Sequence, residues 1–298
     1  MWQARWVARR LKRLRPQYNY RIKAIRTQGD KILDVALAKI GDKGLFTKEL
    51  EHAMLRGEID MAVHSMKDLP TVLPDGLVVG AVCEREYPGD VLVAPNGSSL
   101  VELPSGAVIG TSSLRRSAQI RRYRRDLKIA SLRGNVQTRI RKLDQKKYDA
   151  AILAYAGVHR MGLDHRISQV IPFEIILPAV GQGSVGVEVA ADNDKMLALV
   201  KNIDHTESRL AIEAERAFLK KLEGGCQVPI GAHAAVEGGC MRLEGAVFSL
   251  DGTDMVRASM IGDTTEAELL GVKLAEKLLE SGAGEILGKI RQGNKCDG

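Results

Sequence analysis

Apolar positions along the chain switch between a period of two and a period near 3.6, which predicts a string of short strands and helices. Trp2, Trp6, Val7, Leu11 and Leu14 fall at helical spacing, so residues 2 to 14 are expected to form an amphipathic helix with a basic polar side. Tyr20 to Arg26 reads as a strand. Thr47 is placed to cap a helix that ends at Gly57, with Leu50, Met54 and Leu55 facing inward. Ile59 to Val63 is a strand that runs at once into His64-Ser65-Met66-Lys67-Asp68-Leu69-Pro70. Lys67 and Asp68 therefore stand just past a strand's carboxyl end, and Pro70 fixes the exit of the loop. Val78 to Cys83 is another strand, and Glu84 to Asp90 reads as a crossing segment.

The middle of the chain repeats one unit. Ala107-Val108-Ile109 reads as a strand, and Gly110-Thr111-Ser112-Ser113 turns into a helix from Leu114 with hydroxyls where an N-cap belongs. Then Ile129 to Leu132 is a strand, Arg133-Gly134-Asn135 a turn, and Val136, Ile140 and Leu143 one helical face. Tyr148 to Ala154 is the next strand, followed by a short helix or turn from Gly157 to Gly162. Thr206 starts a strong helix with Leu210, Ala214, Ala217, Phe218 and Leu222 on one face, ended by Gly224-Gly225. Alternating segments reach Met260 with turns at Gly238-Gly239 and Asp251-Gly252, which predicts a three-stranded antiparallel sheet. Leu269, Leu270, Leu274, Leu278 and Leu279 mark a final helix. The order predicts an α/β protein whose last third is a small α+β domain.

Charge sharpens this picture. Between Arg115 and Lys142 there are eleven basic residues and one acid, Asp126, so the stretch carries +10. The whole chain carries +7, so the remainder sums to −3. Arg115 and Arg116 sit in the first turn of a helix, where a cation opposes the helix dipole. That placement makes sense if an anion binds there, at a helix start rich in free N–H groups. Arg133 and Arg139 follow the same logic at the second strand-to-helix turn. In open α/β sheets ligands bind off the carboxyl ends of strands, and arginine grips carboxylate or phosphate with two parallel bonds. Arg121, Arg122, Arg124 and Arg125 read instead as a solvated helix face.

The 298 residues, 45% of them hydrophobic, suffice for two or three domains. Aromatics make up 4%, and only Tyr123 and Tyr148 lie in or beside the basic stretch, which argues against a single-stranded nucleic-acid binder. The cysteines Cys83, Cys226, Cys240 and Cys296 form no CxxC and no zinc spacing. With no secretory signal and no apolar run long enough to span a membrane, a reduced cytoplasmic protein is expected, with no metal. Gly181, Gly183 and Gly186 spell G-x-G-x-x-G. A dinucleotide fingerprint must open a helix, whereas Val187 to Ala190 continues as a strand, so these glycines are expected to let backbone pass close to a ligand or between domains. Cys226 follows a glycine pair and precedes Pro229, which puts it on a loop and marks it as a candidate reactive thiol. It lies at the wrong end of its helix for dipole activation, so nearby cations would have to lower its pKa.

Five motifs occur together: His64 to Pro70, Gly110-Thr111-Ser112-Ser113-Leu114-Arg115-Arg116, Leu132-Arg133-Gly134-Asn135-Val136, Ala179-Val180-Gly181-Gln182-Gly183, and Gly224-Gly225-Cys226-Gln227-Val228-Pro229. In this order, from Trp2 to beyond Gly282, they resemble the porphobilinogen deaminase (hydroxymethylbilane synthase) family. The resemblance implies two similar type II periplasmic-binding-protein-like α/β domains with a double hinge, and a third α+β domain. The split expected is residues 1–83 with 184–201, residues 89–177, and residues 206–298. It implies a transferase that joins four porphobilinogen molecules head to tail with release of ammonia, on a dipyrromethane cofactor held by a thioether at Cys226. Asp68 matches the family's catalytic aspartate. Lys43, Ser65, Lys67, Thr111, Ser112, Ser113, Arg115, Arg116, Arg133, Gly134, Arg139 and Gln182 match positions that bind the carboxylate-bearing cofactor and substrate. A monomer is implied, with no nucleic acid and no membrane as partner. The family's first strand and an arginine- and serine-bearing loop precede the Trp-Gln-Ala seen here as Trp2-Gln3-Ala4. Their absence is expected to expose a strand edge and to remove carboxylate ligands, which leaves an inactive form as one alternative and a non-catalytic hinged anion-binding protein as another.

Overall fold

The computed structural model describes residues 1–27, 47–223 and 228–296. Among these residues the strands form three sheets. The first joins β1 (Ala62–Ser65), β8 (Val185–Ala190) and β2 (Leu77–Val82), with β8 in the middle and antiparallel to both. Val7 and Leu11 of helix α1 (Trp2–Leu14) pack on it with Val185, Val187, Val189, Leu199 and Val200, so the amphipathic stripe docks as its spacing predicts. Helix α2 (Lys48–Leu55) flanks the same sheet and is followed by Gly57 at φ +69°.

The second sheet has the order β5-β4-β6-β3-β7, with β3 Asp90–Val93, β4 Val108–Gly110, β5 Lys128–Ala130, β6 Ala150–Ala154 and β7 Gln169–Val170. β4 runs parallel to β5 and β6, while β3 runs antiparallel to β6 and β7. Both faces are buried. Leu92, Ile109, Ile120 and Ile152 pack on one side, and Val91, Val93, Ile140, Leu143 and Leu153 on the other, which is why these strands read as unbroken apolar runs. Helices α3 (Leu114–Tyr123), α4 (Val136–Asp144) and α5 (Tyr155–His159) follow β4, β5 and β6. Their N-termini therefore gather at one edge of the sheet.

Helix α6 (Asp194–Val200) leads into the last third of the chain, where α7 (Thr206–Lys221) packs on an antiparallel sheet. The strands are β9 (Ile230–Glu237), β10 (Cys240–Phe248) and β11 (Met255–Asp263), with β10 central. Helices α8 (Ala267–Leu278) and α9 (Gly284–Cys296) complete the layer. Phe218, Met241, Leu243, Leu270, Leu274 and Leu278 are its core.

Two chain segments cross between the first two sheets, one leading from β2 to β3 and one returning from Leu177 to β8. They hydrogen-bond to each other through Cys83 N to Val185 O at 2.9 Å and Glu86 N to Gly183 O at 3.3 Å. Gly181 lies here at φ +74°, and a Cβ on it would stand 2.8 Å from the carbonyl carbon of Met66 and 2.9 Å from Lys67 N. Its reason for being glycine is thus both conformational and steric. Gly181→Ala is expected to lower stability by about 1–3 kcal/mol, read as a shift of the guanidinium chloride midpoint. An unchanged midpoint would show that the Met66 turn gives way at no cost.

One sequence expectation fails here and a second is refined. Tyr20 to Arg26 forms no strand: Lys23 pairs with Glu58 at 3.0 Å, and the Tyr20 hydroxyl reaches the carbonyl oxygens of Leu11 and Arg15. A strand needs a neighbour to satisfy its amides, and among the described residues none lies beside this segment. Of the arginines expected on a solvated face, Arg121, Arg122 and Arg125 are exposed and Arg124 is half-buried, and three of them also bind carbonyls. Arg121 donates to Leu250 O at 2.8 Å, Arg122 to Thr253 O at 3.0 Å, and Arg124 to Asp126 and to the carbonyls of Leu100, Val101 and Leu103. The turn between β10 and β11 seats on α3 so closely that a Cβ on Gly252 would lie 2.4 Å from Ala118 O.

Candidate active site

The anion at the start of α3 is supplied from within the chain. Asp90, the first residue of β3, is wholly buried and accepts from Arg115 Nη1 at 2.8 Å, Arg116 Nη2 at 2.7 Å, Arg116 Nε at 3.1 Å and Gln182 Nε2 at 2.8 Å. Burial alone would raise its pKa. The charges and hydrogen bonds of Arg115 and Arg116 outweigh that and hold it well below the usual carboxylate range. Arg115 also donates to Leu177 O at 2.7 Å and Arg116 to Ile152 O at 3.1 Å. Gln182 is tied down further by Pro88 O at 2.7 Å. These residues, expected to grip a ligand, are the frame that fixes the helix start to the crossing segments. Arg115 Nε remains a buried donor with no acceptor.

The turn before α3 is tied internally as well. Thr111 is buried, and its hydroxyl accepts from Ser113 N at 3.2 Å. Ser113 caps the helix by accepting from Arg116 N. Ser112 shares a hydrogen bond with Ser131 at 2.9 Å, which joins the two strand-to-helix turns. At the second turn Asn135 caps α4 through Thr138 N at 2.9 Å. Gly134 has φ +112°, and a Cβ there would meet Thr138 at 2.7 Å.

Lys67, Arg133 and Arg139 differ from the framing arginines: among the described residues none of them has an ion-pair partner, and all are half-buried. Arg139 donates through Nε to Gly134 O at 2.7 Å. Desolvation, then repulsion from Arg116, lowers its pKa to about 10, while Asp68 opposes the fall. Desolvation likewise pushes the Lys67 ammonium down, with Asp68 and Asp90 pulling it up and Arg116 and Arg139 pulling it down. Asp68 stands at the end of the short 3-10 turn Met66–Asp68 that follows β1, exposed to solvent. Its side chain has no hydrogen-bond partner among the described residues. The turn after the first sheet thus brings a carboxylate and an ammonium close enough for their charges to be felt by the Arg139 guanidinium beside the second sheet, and for Arg116 to act on the ammonium. Ser65, just before that turn, accepts from Gln3 Nε2 at 2.7 Å. Lys43 and Cys226 lie outside the described residues.

A second buried carboxylate secures the crossing. Glu215 of α7 accepts from Arg85 Nη1 at 2.6 Å, Gly181 N at 2.8 Å and Ala234 N at 2.8 Å. Neither Asp90 nor Glu215 was singled out from the sequence. Asp90 had a signal, an acid opening an otherwise apolar strand, whereas Glu215 looks like any helix glutamate. Arg160, after the β6 carboxyl end, was also missed although it follows the positional logic applied to Arg115. It donates to Gly183 O at 2.6 Å and lies over the Trp2 ring at 5.7 Å. Among the described residues no His, Cys, Asp and Glu cluster could hold a metal ion, and no helix is long and apolar enough to cross a membrane.

Residues 1–198 match the family model described as porphobilinogen deaminase, dipyrromethane cofactor binding domain, and residues 209–280 match that of the porphobilinogen deaminase C-terminal domain. The chain belongs to the porphobilinogen deaminase family. It is 65% identical to the porphobilinogen deaminase of Pelotomaculum thermopropionicum over 98% of this chain and 94% of the relative. It is 57% identical to that of Carboxydothermus hydrogenoformans over the same shares. Among solved structures it is similar to the periplasmic aliphatic sulphonate binding protein of Escherichia coli, with a TM-score of 0.40 and 14% identity over 74% of this chain and 68% of that one. Gly181, Gly183 and Gly186 form no dinucleotide fingerprint, because no helix opens there and Gly186 itself lies in strand β8.

The donor set fits the family's dipyrromethane cofactor. A group whose pyrroles each carry an acetate and a propionate needs several cations that are not already neutralised. Lys67, Arg133 and Arg139 meet that need, and the spare Nε of Arg115 adds a buried donor. A carboxylate bound here would meet Lys67 and Arg139, both already partly desolvated, in charge-assisted hydrogen bonds.

Proposed function

We propose that this chain joins four porphobilinogen molecules head to tail, releasing ammonia at each addition, and that water then frees the linear tetrapyrrole hydroxymethylbilane. The observation that carries the reading is the exposed Asp68 carboxylate, without a side-chain partner among the described residues, whose charge acts on Lys67 and Arg139. The dipyrromethane supplies the anchored pyrrole from which the chain grows, with Cys226 as its attachment point. Loss of ammonia from an incoming porphobilinogen spreads positive charge onto its pyrrole nitrogen. Asp68 stabilises that charge and takes up or returns the pyrrole proton. Lys67, Arg133 and Arg139, with Lys43, hold acetate and propionate groups. Ser65 and Ser112 add hydroxyls to that binding, and Thr111, Ser113 and Gly134 shape the turns that present it. Arg115, Arg116 and Gln182 keep the helix start in place around Asp90 and add their field to the carboxylate seat.

We divide the chain into residues 1–83 with 184–201, residues 89–177, and residues 206–298. The three sheets with their separate cores support that division. The protein works in the cytoplasm as a monomer with porphobilinogen as its small-molecule partner. The intact mass of the purified protein tests the proposal. A mass above the sequence value by two porphobilinogen units less two ammonias, on the peptide that contains Cys226, is the expected result. An unmodified mass would sink the claim that this chain loads its cofactor.

A further inference from the structure

We infer that Arg216 is a positioning residue that sets where the Asp68 carboxylate points. Asp68 makes no side-chain hydrogen bond among the described residues, so its aim is decided by the backbone of its turn. The entry to the turn is fixed: Ser65 pairs with Val185 across the β1–β8 ladder, Met66 N donates to Ser184 O at 3.0 Å, and Gly181 lies against the Met66–Lys67 peptide. The exit is Leu69-Pro70. Proline has no N–H, so this end of the turn is held through its carbonyl oxygens. Both accept from one side chain, with Arg216 Nη1 donating to Leu69 O at 3.1 Å and Nη2 to Pro70 O. Two nitrogens of one planar fork on two consecutive carbonyls fix the orientation of that peptide as well as its distance.

The rest of α7 serves the same end. Ile212, one helical turn before Arg216, packs on Met66 and Leu69. Glu215, the preceding residue, holds Gly181 N and Arg85. Arg216 has no ion-pair partner among the described residues. Desolvation lowers its pKa, and the buried Glu188 beyond it pulls the other way. A single helix of the third sheet's layer therefore bonds the exit of the Asp68 turn through Arg216, packs on the turn through Ile212 and fixes, through Glu215, the Gly181 that lies against its entry, and the sequence continues from that helix to Cys226. The inference rests on the proposed role of Asp68.

The test uses the full chain with its cofactor attached. Arg216→Gln is expected to lower kcat by about tenfold to a hundredfold, the effect of misplacing a reacting group by an ångström or so. KM for porphobilinogen should move by less than about threefold and the intact mass should not change, because the carboxylate-binding residues are elsewhere. Arg216→Lys, which can reach one carbonyl at a time, should fall between. In an Asp68→Glu background the carboxylate is already displaced, so Arg216→Gln should add less than about threefold. A normal kcat in Arg216→Gln, a loss confined to KM, or losses that multiply fully in the double variant would each overturn the inference. If Arg216→Gln yields no folded protein, the same cycle run with Arg216→Lys decides by the same multiplication rule. Normal turnover in Asp68→Glu alone would show that the carboxylate needs no exact placement and would overturn the inference, whereas normal turnover in Asp68→Ala would remove the role of Asp68 itself. Normal Asp68 dependence with a kcat indifferent to Arg216 removes the inference only.

Discussion

Asp68→Ala is expected to lower kcat by roughly a thousandfold, within the range measured for positioned acid–base groups and for preorganised charge at a reacting centre. Asp68→Asn, which keeps shape but not charge, should fall nearly as far. The reason is the surroundings. Asp68 is the carboxylate that faces Lys67 and Arg139. Without it, a pyrrole that gains positive charge meets only cations. Neither variant should lose more than about 1 kcal/mol of stability, because the side chain is exposed and has no hydrogen-bond partner among the described residues. The intact mass should still include the attached cofactor. Single-turnover consumption of porphobilinogen measures the effect, and turnover within a few-fold of the parent protein would refute the assigned role.

The second large effect is on stability. Asp90→Asn removes the one carboxylate that neutralises Arg115 and Arg116 in a site closed to water. Breaking a buried pair on one side leaves uncompensated charge, so the loss is expected to be roughly 3–5 kcal/mol, read from denaturant midpoints at pH 7. The pH dependence follows from the same group. Its pKa in the folded protein lies well below the ordinary carboxylate value. A depressed pKa contributes stability that is fully present above the unfolded value, about 3.9, and that fades as pH falls through and below it. The parent protein should therefore lose stability steeply below about pH 4, and Asp90→Asn should lose much less over the same interval. Parallel acid curves for the two proteins would show that Asp90 is not the group responsible. The pair also bears on function, since Arg116 adds its charge to the field at both Lys67 and Arg139.

Most of the elements were legible in the sequence because their signals are local. The stripe Trp2, Trp6, Val7, Leu11 gave α1, the hydroxyl and Asn135 caps gave the starts of α3 and α4, and the glycine turns gave the β9-β10-β11 sheet. The strand ahead of Asp68 was read at Ile59 to Val63 and forms at Ala62–Ser65. The shift is small and keeps Asp68 just past its carboxyl end. Helices α6 and α9 were not read, nor was the strand Asp90–Val93, because the crossing segment was taken to run from Glu84 to Asp90 and Val91–Val93 was left unassigned. Four residues bounded by a proline and a glycine give too short a pattern to separate a strand from a link.

The candidate site was legible as a set of residue types and illegible as a division of labour. Arg115, Arg116, Arg133 and Arg139 carry the same charge at similar turns, and nothing local distinguishes them. The structure separates them by partners far along the chain. Asp90 lies 25 positions before Arg115 and 26 before Arg116. It converts the first two into framework, while Arg133 and Arg139 form no ion pair among the described residues. The same holds for Arg121 and Arg122, whose acceptors lie 129 and 131 positions away, in the turn that follows β10.

What the sequence determined by itself was the period of each element, the caps and turns, the concentration of positive charge, and the five motifs that mark the family. Each of these depends on residues within a few positions of one another. Tertiary structure alone decided which cations are neutralised, which carboxylates are buried as hubs, and that the Asp68 turn is held by Glu215 and Arg216 of a distant helix. Ion pairing and desolvation depend on what surrounds a group in space, and a charge buried against its partner behaves in the opposite way from the same charge left without one.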